Sequence, residues 1–311
     1  MSTISKVLSV NISEKKGTIK LPVPSMEITE LGVKDDAHAG PWGRQVSLLA
    51  KESIDKFAKD AGRTINYGEF AENITTEGIL LHLTKPLDRF AIGDTVLEVT
   101  QIGKKCHGEN CAIFREVGNC VMPKEGIFCR VIKTGKIEPG MEVQYLPKIY
   151  SVKVITLSDR AFAGIYEDKS GPRVKDLMED FLKKEGWQGK VEVTVLPDDP
   201  GKLKALLQEH IENKADFIFT TGGTGIGPRD FTPEVVRSVI SKEIPGIMEH
   251  IRLKYGQEKP NALVSRSVAG VANGSLLYAL PGSVKAVNEY MEEIVKTLRH
   301  SVYMLHGLDQ H

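Results

Sequence analysis

The order of hydrophobic and polar positions changes once along the chain. In the first part, short apolar runs alternate with turn-forming residues. The predicted strands are 7–12, 46–49, 95–101, 127–134 and 141–146. One segment there, 51–61, has a convincing helical pattern, and Gly62 should end it. Many short strands with few helices predict a β-rich domain, either barrel-like or a sandwich, and we expect the barrel-like form.

From residue 152 onward, buried strands alternate with amphipathic helices. Apolar runs at 152–157, 191–196 and 217–221 predict strands. Between them, 174–182 and 203–211 place their apolar residues at helical spacing, and Gly186 should end the first helix. This alternation predicts an α/β three-layer domain with a mainly parallel sheet. We therefore expect two domains, spanning 1–147 and 150–311.

Length and composition support this division and exclude some function classes. The 311 residues suit two domains, and 41% hydrophobic with 26% charged residues is ordinary for a globular protein. Lys plus Arg and Asp plus Glu both number 41, so no overall basic field favours nucleic acid or an anionic membrane. We find neither a secretory signal nor a membrane-spanning apolar run, and expect a cytoplasmic protein.

The segment 220–234 has the richest candidate chemistry. It reads Thr-Thr-Gly-Gly-Thr-Gly-Ile-Gly-Pro-Arg-Asp-Phe-Thr-Pro-Glu and joins a predicted strand to a predicted helix. Glycines let backbone N–H groups approach an anion, and a helix N-terminus favours negative charge. We expect Thr232 to be the N-cap, with Pro233 in the first turn. Neither the Walker nor the dinucleotide-binding pattern fits. A structural turn is the alternative, but four glycines beside Arg229 and Asp230 favour a phosphate site.

Acidic residues accompany this loop. A carboxylate next to a phosphate is explained by a divalent cation that bridges the two, so Asp230 suggests Mg²⁺. Asp198 and Asp199 end the preceding predicted strand and could face the same cleft. Their Asp-Asp-Pro-Gly context is equally typical of a turn or helix cap. Taken together, the motifs predict Mg²⁺-dependent nucleotide chemistry.

Residues 152–305 resemble the molybdopterin adenylyltransferase family, which includes MogA/MoaB-like proteins and the gephyrin G domain. The matching pieces are 157–160, 168–171, 197–198, 220–234, 244–246, 263–266 and 280–283. The resemblance implies transfer of AMP from Mg-ATP to the terminal phosphate of molybdopterin, by a protein that forms homo-oligomers, commonly trimers. It implies that Asp198 and Asp230 are catalytic and position Mg²⁺ and phosphate. The implied nucleotide- and substrate-binding residues are Ser158, Thr221, Gly222, Gly223, Thr224, Gly225, Arg229, Ser265, Pro281, Gly282 and Ser283.

Residues 1–146 resemble the MOSC domain, although Asp35 stands where members often have glycine. The matching pieces are 32–40, 44–48, 72–79, 92–94, 105–106, 126–131 and 139–140. The resemblance implies a β-rich module that binds the molybdenum cofactor, with Cys106 as a catalytic sulfur acceptor. Within this half, Asp36, His38 and Arg44 could face an anionic ligand or make ordinary loop and surface contacts.

The chemistry of Cys106 has three possible readings. The neighbouring Lys104, Lys105 and His107 would lower the pKa of its thiol and favour a reactive thiolate. An inert buried cysteine is the first alternative. A metal site made of Cys106, His107, Cys111 and Cys120 is the second, although the close pairing usual for zinc is missing. Cys129 lies in an apolar strand and is expected in the core.

Two functions of different classes follow. The first is a bifunctional enzyme of molybdenum cofactor assembly, which adenylylates molybdopterin with Mg-ATP and binds the cofactor or handles sulfur in 1–147. The second is a carrier or scaffold that binds molybdopterin without turnover. Adenylylation of another phosphorylated metabolite is a third reading that the glycine loop alone would permit. We expect other cofactor-assembly proteins as partners, and neither nucleic acid nor membrane.

Overall fold

A computed structural model describes residues 5–104 and 120–308. The chain forms two compact units, residues 1–148 and 149–311. Among the described residues, no helix has the length and apolar character needed to cross a lipid bilayer.

Unit 1 is built mainly of short strands. Its strands are β1 (Lys6–Ile12), β2 (Leu21–Val23), β3 (Met26–Thr29), β4 (Gly32–Val33), β5 (Val46–Ala50), β6 (Ile74–Glu77), β7 (Arg89–Ile92), β8 (Thr95–Ile102), β9 (Ile127–Lys133), β10 (Gly135–Ile137) and β11 (Gln144–Leu146). Its α-helices in the described ranges are α1 (Lys51–Ala61) and the single turn α2 (Met122–Glu125). Gly62 ends α1 as predicted, with φ of 65° and its N–H bonded to the carbonyls of Ala58 and Lys59.

Eight strands of unit 1 form one curled sheet, in the order β11-β7-β8-β9-β5-β6-β1-β2, and β10-β3-β4 form a second. The predicted strand 141–146 is shorter than expected, since only β11 pairs with β7. The residues before it instead pair with β1, where Val7 N donates to Met141 O at 2.9 Å. The predicted strand 141–146 therefore divides its backbone pairing between β1 and β7.

Unit 2 alternates strands and helices. Its strands are β12 (Ile149–Leu157), β13 (Gln188–Leu196), β14 (Phe217–Thr221), β15 (Lys242–Glu243), β16 (Ala269–Ala272) and β17 (Ser275–Leu280). Its helices are α3 (Asp159–Phe162), α4 (Ser170–Glu185), α5 (Pro200–Glu212), α6 (Thr232–Arg237), α7 (Pro245–Gly256) and α8 (Val284–Leu305). Gly186 ends α4 in the left-handed conformation, as predicted.

The sheet of unit 2 has the order β13-β12-β14-β17-β16-β15. Strands β12, β13, β14 and β17 are parallel, whereas β15 and β16 are antiparallel additions at one edge. Apolar residues of α5 and α6 pack with Ile155, Ile218 and Leu277 on one face. Helix α4 contacts β12, β13 and α8, with Phe181 and Tyr303 around Trp187. The predicted α/β architecture with parallel strands is confirmed.

Candidate active site at the carboxyl edge of the parallel sheet

The segment after β14 begins with two glycines that no other residue could replace without strain. Gly222 has φ of 99° and Gly223 has φ of 63°. A Cβ on Gly223 would lie 2.4 Å from Thr232 Oγ1, and one on Gly222 would lie 2.6 Å from Leu157 O. The glycines therefore allow the chain to turn tightly after β14, in the narrow space between Leu157 of β12 and Thr232 at the start of α6.

The segment 281–283 lies directly against this turn. Gly222 N donates to Leu280 O at 3.0 Å, and a Cβ on Gly282 would lie 3.2 Å from Gly222 Cα. Ser283 is the N-cap of the 22-residue helix α8, and its hydroxyl accepts from Ala286 N. The predicted glycine loop and the predicted 281–283 turn therefore meet at the ends of two adjacent parallel strands.

Thr232 does not cap α6, and that prediction was wrong. Phe231 occupies the N-cap position without a side-chain cap, and Thr232 is the first helical residue. Its hydroxyl donates to Gly222 O at 2.9 Å, and its N–H donates to Gly223 O at 3.1 Å. The side chain fastens the glycine turn because, from inside the helix, it reaches a carbonyl across the loop. Pro233 lies in the first turn, as expected.

Thr221 is completely buried, and its hydroxyl is engaged with other side chains. It pairs with Ser170 Oγ at 2.9 Å and donates to Thr156 Oγ1 at 3.4 Å. Asp168 accepts from Thr156 Oγ1 at 2.7 Å and from Ser170 N at 2.9 Å. This network joins β12, β14 and the start of α4, so the Thr221 side chain supports the loop from below.

Arg266 holds the far side of the loop, although sequence reasoning did not select it. Its Nε donates to Gly225 O at 2.6 Å, and a guanidinium nitrogen donates to Asp230 O at 2.5 Å. Its main-chain N–H donates to Thr224 O at 2.9 Å. Arg266 could have been found from the sequence, because it lies in the segment 263–266 that matches the family and follows Ser265.

Asp198 and the glycine loop are linked through Asp159, a second residue that sequence reasoning did not select. Asp198 N donates to Asp159 Oδ1 at 2.9 Å, and Asp159 N donates to Asp198 Oδ2 at 3.5 Å. The other carboxylate oxygen of Asp159 pairs with Arg229 at 3.1 Å. Three loops, which follow β12, β13 and β14, therefore meet in one charged cluster. Asp159 was visible in the quoted 157–160 piece.

The two neighbouring acidic residues, Asp199 and Asp230, make different contacts. Asp199 Oδ1 accepts from Gly201 N at 2.8 Å and Lys202 N at 3.0 Å, so it caps α5. Asp230 Oδ2 accepts from Gly227 N at 2.7 Å, which closes the end of the glycine loop. Within the described ranges, Asp230 Oδ1 accepts no hydrogen bond, so it can face a ligand.

The selected serines have structural contacts as well. Ser158 caps the short helix α3 by accepting from Ala161 N at 3.2 Å. Ser265 Oγ lies 2.9 Å from Ser267 Oγ and accepts from Tyr290 OH at 3.0 Å. Ser158 follows β12 directly and Ser283 lies three residues after the end of β17, at the same edge as the glycine loop.

Metal-ligating groups are sparse in the described ranges. Residues 5–104 and 120–308 contain no group of three or more His, Cys, Asp or Glu placed to hold an ion. Cys106, His107 and Cys111 lie outside the described residues, so the sulfur-acceptor and metal predictions for them stay predictions. Cys129 is fully buried in β9, and burial raises the pKa of its thiol above the usual range. Its predicted place in the core is confirmed.

Unit 1 has its own polar centre, around Asp36. The Asp36 carboxylate is fully buried, forms an ion pair with the equally buried Lys20 and accepts from His38 N at 3.0 Å. These hydrogen bonds, together with the Lys20 charge, outweigh burial and lower the pKa of Asp36. Burial lowers the pKa of Lys20 and raises that of nearby Glu72 to about 7. Asp36 is therefore an internal support that cannot contact a ligand directly.

Unit 2 is an α/β domain whose glycine turn and two acids lie at the carboxyl edge of a parallel sheet, where ligands of such sheets commonly bind. Sequence comparison then gives the family. Residues 153–300 match the family described as "Probable molybdopterin binding domain", and residues 35–144 match the MOSC domain. The chain belongs to the molybdopterin-binding domain family, with a MOSC domain in unit 1.

Relatives with known names cover the second half of the chain. The Helicobacter pylori molybdopterin adenylyltransferase is 32% identical over 157 residues, which are 50% of this chain and 88% of that protein. The Synechococcus elongatus molybdenum cofactor biosynthesis bifunctional protein is 36% identical over 156 residues, but the match spans only 47% of that protein. The tungsten cofactor synthesizing protein MoaB from Pyrococcus furiosus is 34% identical over 51% of this chain and 98% of that chain, with a TM-score of 0.45.

Proposed function

We propose that this protein is an enzyme of molybdenum cofactor biosynthesis, in which residues 150–311 transfer AMP from Mg-ATP to the phosphate of molybdopterin. The observation that carries this is the meeting of the glycine turn, Asp230 and the Asp198–Asp159–Arg229 cluster at one sheet edge. The similarity of this half to a molybdopterin adenylyltransferase over most of that protein's length supports the same reaction.

The residues present fit a magnesium ion that arrives with the nucleotide. Mg²⁺ is commonly held by one or two carboxylates together with substrate phosphates and water. Asp198 and Asp230 would supply those carboxylates, and Asp230 Oδ1 is available for it. The ion would neutralise phosphate charge and so lower the barrier to attack at the α-phosphorus.

The protein's own part in the reaction is to bind and orient two phosphorylated substrates. Main-chain N–H groups of Gly223 to Gly225, and those of Gly282 and Ser283, would hold phosphate oxygens. Thr221 and Arg266 keep this loop in shape from opposite sides. Arg229, whose side chain is 78% exposed, is free to turn from Asp159 towards a phosphate. An oxygen of the molybdopterin phosphate would then attack the α-phosphorus of ATP, and pyrophosphate would leave.

For unit 1 we propose that residues 1–147 bind the molybdenum cofactor or handle its sulfur, with Cys106 as the sulfur acceptor. Its sheet would form a barrel-like enclosure, since β1 pairs with β6 on one side and contacts the residues before β11 on the other. We further propose that the chain assembles into trimers through unit 2 and works with other cofactor-assembly proteins.

The decisive measurement is release of pyrophosphate from Mg-ATP with and without molybdopterin. We expect release that depends on molybdopterin and yields the adenylylated product. The variant Asp230→Asn should fold normally and lose at least ~100-fold in rate, a size typical for removing one transition-state electrostatic contact. A protein that binds molybdopterin but releases no pyrophosphate would instead be a carrier or scaffold. Wild-type turnover by Asp230→Asn would refute the catalytic role of that residue.

A further inference from the structure

In unit 1, three basic side chains surround one exposed aromatic ring. We call this group the Trp42 platform; its members are Lys16, His38, Trp42 and Arg44. The Trp42 side chain is exposed, and Lys16 Nζ lies 5.4 Å from its ring centroid. The Arg44 guanidinium carbon lies 5.0 Å from the same centroid. The His38 ring is stacked parallel to Trp42, with centroids 6.4 Å apart. All three basic side chains therefore surround a single ring.

Hydrogen bonds to neighbouring segments fix the loop that carries Trp42. Gln45 is buried, and its Nε2 donates to Gly40 O at 3.1 Å and to Glu30 O at 2.7 Å. Thr100 Oγ1 on β8 donates to Gly43 O at 2.5 Å. Trp42 Nε1 donates to His38 O at 2.8 Å. Little loop entropy would therefore be lost in this segment when a ligand binds.

Two basic side chains of this platform are not balanced by acids in the part of the chain that the structure describes. No carboxylate there forms an ion pair with Lys16 or Arg44, whereas His38 Nδ1 lies 3.5 Å from the buried Asp36 carboxylate, which also pairs with Lys20. In a chain with a formal net charge of zero, such a local excess attracts a compact anion.

We propose that the Trp42 platform is an oxyanion site that binds the terminal phosphate of the cofactor taken up by unit 1. Arg44 offers a planar fork suited to phosphate oxygens, and Lys16 adds a charge-assisted donor. This inference rests on the proposed cofactor-binding role of residues 1–147. It adds a phosphate contact separate from the glycine loop of unit 2.

The chain contains two tryptophans, and Trp187 is only 7% exposed, so fluorescence can report on Trp42 alone in a Trp187→Phe background. Iodide is an anionic quencher. Its quenching constant for Trp42 should be at least twofold higher in this Trp187→Phe parent than in a variant that also carries Lys16→Gln and Arg44→Gln. Neutral acrylamide should quench both proteins equally. The matched control Lys59→Gln, an exposed lysine on α1, should behave as the parent.

The ligand arms use inorganic phosphate and molybdopterin as competitors of iodide. Both should suppress iodide quenching in the parent and not in the Lys16→Gln, Arg44→Gln variant. Molybdopterin should do so at a concentration at least tenfold lower than phosphate requires. Equal iodide quenching in parent and variant, or no competition, would overturn the site. Molybdopterin no tighter than phosphate would overturn its assignment to the cofactor.

Two further measurements keep the test independent of folding and of the proposed reaction. If Trp187→Phe unfolds the protein, 5-fluorotryptophan in the unsubstituted chain gives two ¹⁹F resonances, and phosphate should shift only that of Trp42. Asp230→Asn should keep the Trp42 response, and Lys16→Gln, Arg44→Gln should keep the adenylylation rate. If only adenylylation fails, the proposed function of unit 2 is refuted and the phosphate site at the Trp42 platform is unaffected. If only the Trp42 response is lost, the phosphate site is refuted and the proposed function of unit 2 is unaffected.

Discussion

The glycine loop of unit 2 and the Asp36 centre of unit 1 use the same kinds of side chain in opposite ways. At the glycine loop, the Arg229–Asp159 pair lies at the surface, with 78% and 50% of the side chains exposed. In unit 1, the Lys20–Asp36 pair is sealed, with 1% and 0% exposed. An exposed pair contributes little to stability and can exchange partners, whereas breaking a buried pair strands a charge. Exposure therefore separates charges that can meet a ligand from charges that hold the fold.

The largest expected effect tests whether the backbone of the glycine loop carries the function of unit 2. Gly223→Ala places a Cβ 2.4 Å from Thr232 Oγ1 at φ of 63°, so the turn must shift. We expect adenylylation to fall by ~100-fold, because small displacements of a positioning group cost about that much. Gly246→Ala, where no atom lies within 4 Å, is the control and should keep activity. Unchanged turnover in Gly223→Ala would mean that the loop tolerates another shape.

The second effect concerns the sealed interior of unit 1. Glu72 is fully buried, and its pKa of about 7 in the fold compares with an ordinary 4.5. The folded state thus holds the proton more tightly, so the free energy of unfolding should fall as pH rises from about 4.5 to about 7. Glu72→Gln should remove this loss, worth about 3 kcal/mol above pH 7. Urea unfolding at pH 5 and pH 8 measures it.

An exposed substitution, Glu142→Gln, is the matched control for this pH dependence and should leave the wild-type slope intact. If wild type and Glu72→Gln lose stability in parallel between pH 5 and pH 8, the buried carboxyl is not the source.

The smallest effect tests Asp159 as a positioning residue. Asp159→Asn keeps the shape but loses the charge that holds Arg229 and accepts from Asp198 N. We expect KM for Mg-ATP to rise by about threefold to tenfold, with a smaller change in kcat, since ~1 kcal/mol of exposed electrostatics is lost. Steady-state kinetics over a range of Mg²⁺ measure this. Asp176→Asn, exposed on α4, serves as control. An equal fall in kcat with no change in KM would contradict the positioning role.

Local patterns predicted much of unit 2 because its elements obey simple periodicity. The run 217–221 became β14 with those bounds, and the glycines at 62 and 186 ended their helices. Thr232 was misjudged, because capping rules do not show that Gly222 O lies within reach of its hydroxyl. Asp159 and Arg266 were missed since the partners of their side chains are 32 or more residues away. In unit 1 the burial of Lys20 was equally invisible, because a charged residue gives no pattern that predicts its interior place.

Sequence alone determined the two families and the alternation of strands and helices, and it predicted the glycine loop as the place for an anion, because each depends on residues adjacent in the chain. The tertiary structure decided which acids meet at that loop, that Thr221 supports it from the interior, and that the cations around Trp42 share one ring. These depend on contacts between segments brought together by strand order and packing, and a one-dimensional pattern of residue types does not specify such distances.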